Sequence, residues 1–596
     1  MLSGNEAIAR GAYEAGVKVA AGYPGTPSTE ILENIVRYPD IYAEWSPNEK
    51  VALEVALGAA IAGARALVAM KHVGLNVAAD PLFTASYTGV AGGLVVVSAD
   101  DPGMHSSQNE QDNRNYAPFA KVPMLEPADS EEARDYTVLA FQISEDYDTP
   151  VLVRTTTRVS HAKSVVTLKE PLPYQIKEYK TNAEKYVMIP AYARMRRRLV
   201  EERTAKLLEL SERIPINRIE WNDAKMGIVT SGVSYQYVRE VAPDASVLKL
   251  GMTWPLPAEM IRKFASRVEM LYVVEELDPY LENHIRALGI EVAGKRLFGP
   301  VGELSPDLVA RGLFGIEPLC LLTEAAEESI PARPPVLCPG CPHRPVFYIL
   351  RKVRAIVTGD IGCYTLSVLP PLETHDTCVC MGASIGVAIG MDKAMGQAQK
   401  RPIVAVIGDS TFVHSGITPL VDAVYNKAKI TTIILDNRTT AMTGGQDHPA
   451  TGRTLSGEAT HALDLGALAR AIGVEHVAVV DPYDLTALEK AIRAAIAFDG
   501  PSVVIPNRPC VLIDRSLWEP ALVVDEDLCE ACGLCFRIGC PGIEGVEAGG
   551  KKGRMAYINA SMCTGCEICA QVCKFEAISR RRSGVGRKSH RPKAAS

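Results

Sequence analysis

Two runs near the C-terminal end hold the densest chemistry in this sequence: "CEACGLCFRIGCPG" from Cys529 and "CTGCEICAQVCK" from Cys563. Cys529, Cys532, Cys535 and Cys540 are spaced C-x2-C-x2-C-x4-C-P, and Cys563, Cys566, Cys569 and Cys573 are spaced C-x2-C-x2-C-x3-C. Tight turns of this kind aim three thiolates at one iron–sulfur cubane. Structural zinc sites also use C-x2-C pairs, but a third closely spaced cysteine in each run favours [4Fe-4S] clusters and one-electron transfer. Upstream, "GDSTFVHSG" from Gly408 follows the apolar run "PIVAVI", and Asn437 comes 28 residues after Asp409, in "IILDNRTTAMTGGQ". A carboxylate at one strand end and an amide oxygen at the next can bind one hard cation that bridges a diphosphate.

These residues need scaffolds, and the chain shows alternating ones. Small-residue helical stretches alternate with apolar runs such as "ARALVAMKH", "GGLVVVSADD" and "TPVLVRTTTRVS", the pattern of a parallel sheet covered by helices. The expected order is an α/β domain over 1-165, a helical linker over 166-220, a small α/β domain over 221-328, a second large α/β domain over 329-515, the cysteine module over 520-580 and a basic disordered tail over 581-596. In the linker, "YARMRRRLVEERTAKLLELSER" reads as a surface helix whose arginines solvate it. With 22% charged residues and a formal net charge of -7, the composition is that of a soluble protein and points away from nucleic acid. "MLSGNEAIARGAYEAG" lacks a charged start followed by an apolar core, and no apolar run reaches membrane-spanning length, so a cytoplasmic location is expected. There the fifteen cysteines argue for metal or redox chemistry over disulfides.

The motifs resemble known families. In two-cluster ferredoxins the fourth ligand of each run crosses to the other cluster. That groups Cys529, Cys532, Cys535 and Cys573 on one [4Fe-4S], and Cys563, Cys566, Cys569 and Cys540 on the other. Two departures stand: x4 in place of x3 in the first run, and Lys574 in place of proline after the second. The G-D-S to Asn437 stretch resembles the G-D-G-x(n)-N motif of thiamine diphosphate enzymes, with Ser410 at the third glycine. The resemblance implies Mg2+ on Asp409, the Asn437 side chain and the Thr439 carbonyl, with Gly408, Ser410 and Thr443 of "TGGQ" around the cofactor. "SPNEKVALEVALGAAIAGA" is similar to the segment that supplies the glutamate for the aminopyrimidine ring, implying Glu49, with Glu54 as the alternative. "GYPGTPSTE" resembles the Y-P-x-T-P-S motif of 2-oxoacid:ferredoxin oxidoreductases, which places Thr26 at the substrate, and Arg114 stands where that family has an arginine facing the 2-oxo acid carboxylate.

With "MKHVGLNVAADP" and "CPGCPHR", the whole chain resembles the large (alpha) subunit of indolepyruvate:ferredoxin oxidoreductases. The implied fold is two doubly wound parallel-sheet domains, a small transketolase C-terminal-like α/β domain and a two-cluster ferredoxin-like domain. The implied reaction is coenzyme A-dependent oxidative decarboxylation of arylpyruvates on thiamine diphosphate, with electrons leaving through the clusters to ferredoxin. The implied partner is a smaller beta subunit, in a hetero-oligomer. Related enzymes carry a further cubane near thiamine on a C-x2-C, a G-C and a late cysteine, which maps onto Cys338, Cys341, Cys363 and Cys510; ordinary buried cysteines are the alternative. Cys320, Cys378 and Cys380 stay unassigned. Pyruvate or 2-oxoglutarate as substrate, and an electron carrier with a vestigial thiamine site, are the competing readings.

Overall fold

The structure, a computed structural model, describes residues 1–316, 334–396, 400–547 and 553–580. The basic tail and Cys320 lie outside the described residues, as does the start of the Pro-rich run before Cys338. The chain divides into two units, Met1–Ile330 with Arg453–Thr460 and Pro331–Gly452 with His461–Ser596.

The first unit is built on a seven-stranded sheet in the order Met252–Trp254, Met124–Leu125, Val151–Thr156, Leu94–Asp100, Ala66–Lys71, Val19–Gly22 and Tyr42–Trp45. Every pairing is parallel except that of Met252–Trp254, which runs antiparallel to Met124–Leu125. Strands buried on both faces need unbroken apolar runs. Here Val68, Met70 and Val96 pack into one core while Leu67, Ala69, Val95 and Val97 pack into the other. A four-stranded sheet follows, in the order Met270–Val274, Asp223–Ser231, Ala245–Leu250 and Arg218–Glu220. The segment expected as a small α/β domain over 221-328 also lends the strand Met252–Trp254 to the first sheet.

The helix Pro190–Ser211 corrects one expectation. Its arginines do not all solvate it: Arg196, Val200, Arg203, Leu207 and Ser211 form a buried stripe. Arg196 donates to the Tyr87 and Thr88 carbonyls at 2.6 and 3.2 Å, and Arg203 to the Ser86 carbonyl at 2.6 Å. The end of the helix Ala79–Thr88 leaves carbonyls without intrahelical partners, and the two arginines satisfy them.

The second unit holds a six-stranded, wholly parallel sheet in the order Thr377–Cys378, Ile356–Gly359, Ile403–Gly408, Thr431–Leu435, Ser502–Pro506 and His476–Val480. Its side chains also alternate between two cores, Val404 and Val406 on one face and Ala405 and Ile407 on the other. The cysteine module adds two short antiparallel pairs, Leu522–Val524 with Ile578–Arg580 and Ile543–Glu547 with Arg554–Ile558. Among the described residues no helix is long and apolar enough to cross a membrane.

Candidate active site and electron path

In open parallel sheets, ligands gather at the carboxyl ends of the strands. Asp409 follows the strand Ile403–Gly408 directly, and Asn437 lies just past the neighbouring strand Thr431–Leu435. Both are buried. The Arg438 amide donates to Asp409 Oδ2 at 2.7 Å, the Ser410 amide to Asp409 Oδ1 at 2.8 Å and the Thr439 amide to Asn437 Oδ1 at 3.2 Å. These bonds fix the oxygens and leave each with acceptor capacity. Burial, and then the charge of Asp409, pushes the neighbouring Asp436 carboxyl up to about 6. His448 Nε2 lies 3.4 Å from Asp409 Oδ2 and makes no hydrogen bond. Crowded carboxylates beside an amide oxygen fit a divalent cation, so the residues suit Mg2+ and a diphosphate. Thr443 and Gln446 close the adjoining loop, the Thr443 hydroxyl donating to Gln446 Oε1 at 2.6 Å. Buried His343 faces the Asn437 amide at 3.3 Å, and burial lowers its imidazole to about 4, so it is neutral at pH 7.

The same sheet edge gathers four cysteines. Cys363 follows the strand Ile356–Gly359, Cys510 follows Ser502–Pro506, and the Cys510 amide donates to the Asn437 carbonyl at 3.0 Å. Cys341 is pushed up to about 12 by burial and by the sulfurs of Cys363 and Cys338; Cys363 is pushed up to about 11 by burial and then by Cys510 and Cys338. In the terminal module, Cys535 is raised to about 11 by burial and by Cys529, Cys532 and Cys573. Cys569 is raised by burial and by Cys566, Cys540 and Cys563 before Cys535. The sulfurs that act most on these two thiols are thus Cys529, Cys532 and Cys573 for the first and Cys566, Cys540 and Cys563 for the second. Among the described residues no three His, Cys, Asp or Glu side chains converge on one ion. Thiolates sharing a zinc would stand about 3.8 Å apart, given a Zn–S bond of about 2.3 Å. Soft thiolates in such number suit iron–sulfur chemistry.

In the first unit, Asn48 caps the helix Glu49–Ile61, its side chain accepting from the Val51 amide at 2.9 Å. Capping holds Glu49 in the first turn, where it is 5% exposed. Gly74 explains how closely it is covered: a Cβ there would fall 2.6 Å from Glu49 Oε1. The alternative, Glu54, is exposed and paired with Lys50. Thr26 lies in the turn after the strand Val19–Gly22 and is half-buried.

Arg114 corrects another expectation. It is 1% exposed, and its guanidinium donates to Asp112 at 2.6 and 2.9 Å, to Glu275 at 2.6 Å and to the Glu276 and Asp278 carbonyls at 2.7 and 3.1 Å. Tyr280 stacks on it at 5.0 Å. An incoming carboxylate would meet two carboxylates already in place, so Arg114 is a structural pin and does not face a substrate. The sequence reading also missed a second buried cation. Lys71 ends the strand Ala66–Lys71, is 8% exposed and donates from Nζ to the Ser106 carbonyl at 2.7 Å. The Ser106 hydroxyl in turn reaches the Thr26 carbonyl at 3.5 Å. Burial lowers the Lys71 ammonium to about 8, against the pull of Asp101. His72, fully buried beside it, carries an unpartnered Nδ1. A lysine at the end of an otherwise apolar strand was the available signal.

Three family models match the chain: residues 10–209 match the thiamine diphosphate-binding domain of pyruvate flavodoxin/ferredoxin oxidoreductases, 360–505 the C-terminal binding domain of thiamine pyrophosphate enzymes, and 556–579 a 4Fe-4S binding domain. With the fold above, they define a thiamine diphosphate-dependent, iron–sulfur oxidoreductase of 2-oxo acids. The indolepyruvate oxidoreductase subunit IorA of Pyrococcus horikoshii is 44% identical, covering 98% of this chain and 97% of that one, and that of Archaeoglobus fulgidus is 42% identical over 97% of each. The chain belongs to this family of indolepyruvate oxidoreductase IorA subunits. A 2-oxoglutarate synthase subunit KorA from Methanothermobacter thermautotrophicus is 26% identical, over 46% of this chain and 86% of its own.

Proposed function

We propose that this chain, with a smaller beta subunit in a cytoplasmic hetero-oligomer, converts an arylpyruvate and coenzyme A to aryl-acetyl-CoA, CO2 and a proton. Indole-3-pyruvate and phenylpyruvates are the substrates, in aromatic amino-acid catabolism. Two electrons leave singly, each reducing one ferredoxin. The observation that carries the substrate class is the full-length likeness to indolepyruvate subunits, where the 2-oxoglutarate relative matches less than half the chain. The domain limits expected from the sequence belong to the same reading.

Thiamine diphosphate, when bound, supplies the electron sink that a 2-oxo acid needs to lose CO2. Asp409, the Asn437 side chain and the Thr439 carbonyl would hold Mg2+, with Gly408, Ser410 and Thr443 around the diphosphate. Glu49, buried at a helix start, would hold a hydrogen bond to the aminopyrimidine ring through its carboxylate. Its burial, against the exposure of Glu54, supports that choice. Lys71 would orient the substrate carboxylate beside Thr26, since a desolvated ammonium pairs strongly with a carboxylate. Cys338, Cys341, Cys363 and Cys510 would hold a third [4Fe-4S] and take the first electron; the two terminal quartets would carry it onward.

Anaerobic viologen reduction by the native complex tests the reading, with indolepyruvate, phenylpyruvate, pyruvate and 2-oxoglutarate each offered with and without coenzyme A. Coenzyme A-dependent reduction with the arylpyruvates alone is expected. Turnover of pyruvate or 2-oxoglutarate instead would discard the aromatic assignment, and silence with all four would favour an electron carrier.

A further inference from the structure

Arg344 lies in the first turn of the helix His343–Val353 and is 2% exposed. Its guanidinium joins two cysteine-bearing loops. On one side, Nε donates to the Cys338 carbonyl at 3.0 Å and Nη2 donates to the Leu337 carbonyl. On the other, Nη1 donates to the Gly539 carbonyl and reaches that of Ile538 at 3.4 Å. Among the described residues no carboxylate pairs with it. After burial, which opposes its charge, the groups that act on it are the sulfurs of Cys341, Cys540, Cys338 and Cys566.

A buried charge without a counter-ion costs several kcal/mol, so proteins pair buried charges or do without them. Carbonyl dipoles solvate part of this cation, and among the described residues the remaining opposite charge comes from the sulfurs. A [4Fe-4S] held by four thiolates is a net anion in both of its working oxidation states. The loops around Arg344 also touch directly: a Cβ on Gly340 would fall 2.2 Å from Thr564 Oγ1, and the Tyr483 hydroxyl donates to the Gly340 carbonyl. The C-x2-C of Cys338 and Cys341 is therefore packed against the run that carries Cys563 and Cys566. In the other quartet Cys532 is exposed.

We propose that Arg344 is a positioning residue of the electron path, a fixed buried cation that locks the Cys338/Cys341 loop to the Cys540 loop and raises the reduction potentials of the clusters on both sides. The inference rests on the cluster assignment proposed above. The Cys338, Cys341, Cys363 and Cys510 site would hold the donor cluster and the Cys540, Cys563, Cys566 and Cys569 site its acceptor, the one being oxidised as the other is reduced by a single electron, with no proton transferred. The exposed Cys532 makes the remaining quartet the exit to the external carrier. A positive charge stabilises the reduced, more negative cluster, and does so most where water is excluded.

The test is a redox titration followed by electron paramagnetic resonance on the native complex, with iron measured per chain, for the unaltered protein, Arg344→Gln and Arg344→Lys. Gln removes the charge and keeps a donor; Lys keeps the charge and loses the fork. The expected result is unchanged iron, lower potentials for two of three clusters in Arg344→Gln, potentials near the original in Arg344→Lys, and no shift at the exit cluster. Equal shifts in both variants, no shift in either, or iron lost from both would overturn the electrostatic role. About eight irons in the unaltered protein, the content of two cubanes, would remove the third site while leaving the shift at the Cys540 quartet as the test of Arg344.

Discussion

Two buried arginines, one in each unit, have opposite surroundings. Arg114 sits between Asp112 and Glu275 with a tyrosine across its face, and its charge is answered within the fold. Arg344 is as deeply buried; among the described residues its hydrogen-bond partners are carbonyls, and the opposite charges acting on it are those of cysteine sulfurs. An arginine already holding its carboxylates is part of the scaffold. One held by neutral groups alone is poised for an anion that the polypeptide does not supply. Lys71 is nearer the second kind: among the described residues its ammonium donates to a carbonyl, with Asp101 acting on it without a hydrogen bond.

Substitutions put that contrast to the test. The largest effect is expected at Arg114: Arg114→Gln strands two buried carboxylates and should destabilise the first unit by about 3–5 kcal/mol, enough to lower the melting temperature sharply in calorimetry. An unchanged melting temperature with a raised KM would instead return Arg114 to the substrate. Next, Lys71→Met should leave folding intact and lower kcat/KM for the 2-oxo acid about 10- to 100-fold, the worth of one charge-assisted hydrogen bond.

The same lysine predicts two pH effects of opposite sign. Substrate capture needs the ammonium, so kcat/KM should fall as pH rises through about 8. Stability should move the other way. The lysine titrates near 10.5 when unfolded and near 8 when folded, so between those values the unfolded chain binds more protons and raising the pH favours the fold. The smallest effect is expected at Glu54: its pair with Lys50 is exposed and screened by water, and Glu54→Gln should change neither the melting curve nor the thiamine content. Loss of bound thiamine in that variant would shift the aminopyrimidine role away from Glu49.

The legible parts of the site were those in which few residues of chain carry the whole geometry. The C-x2-C runs are turns, and their cysteines are neighbours by spacing alone, whereas the exchange of Cys540 and Cys573 came from the ferredoxin resemblance. Asp409 and Asn437 were legible because each ends an apolar strand, and adjacent parallel strands bring such ends together. Arg114 failed for the opposite reason. Glu275 lies 161 residues away along the chain, and nothing local marks it as the partner. The linker helix failed in the same way, because Arg196 and Arg203 meet carbonyls more than a hundred positions earlier.

Residue types and short spacings, by themselves, determined which groups this protein has for chemistry: two cysteine runs, a strand-end carboxylate with its amide, and alternating apolar runs that must become parallel sheets. Tertiary structure alone decided which charges are free to act. Burial sets the cost of a charge and long-range contacts set its partners, and both depend on residues brought together from distant parts of the chain. The sequence therefore displays Arg114, Arg344 and Lys71 as three equal cations, and folding makes the first a pin while leaving the other two to meet an anion.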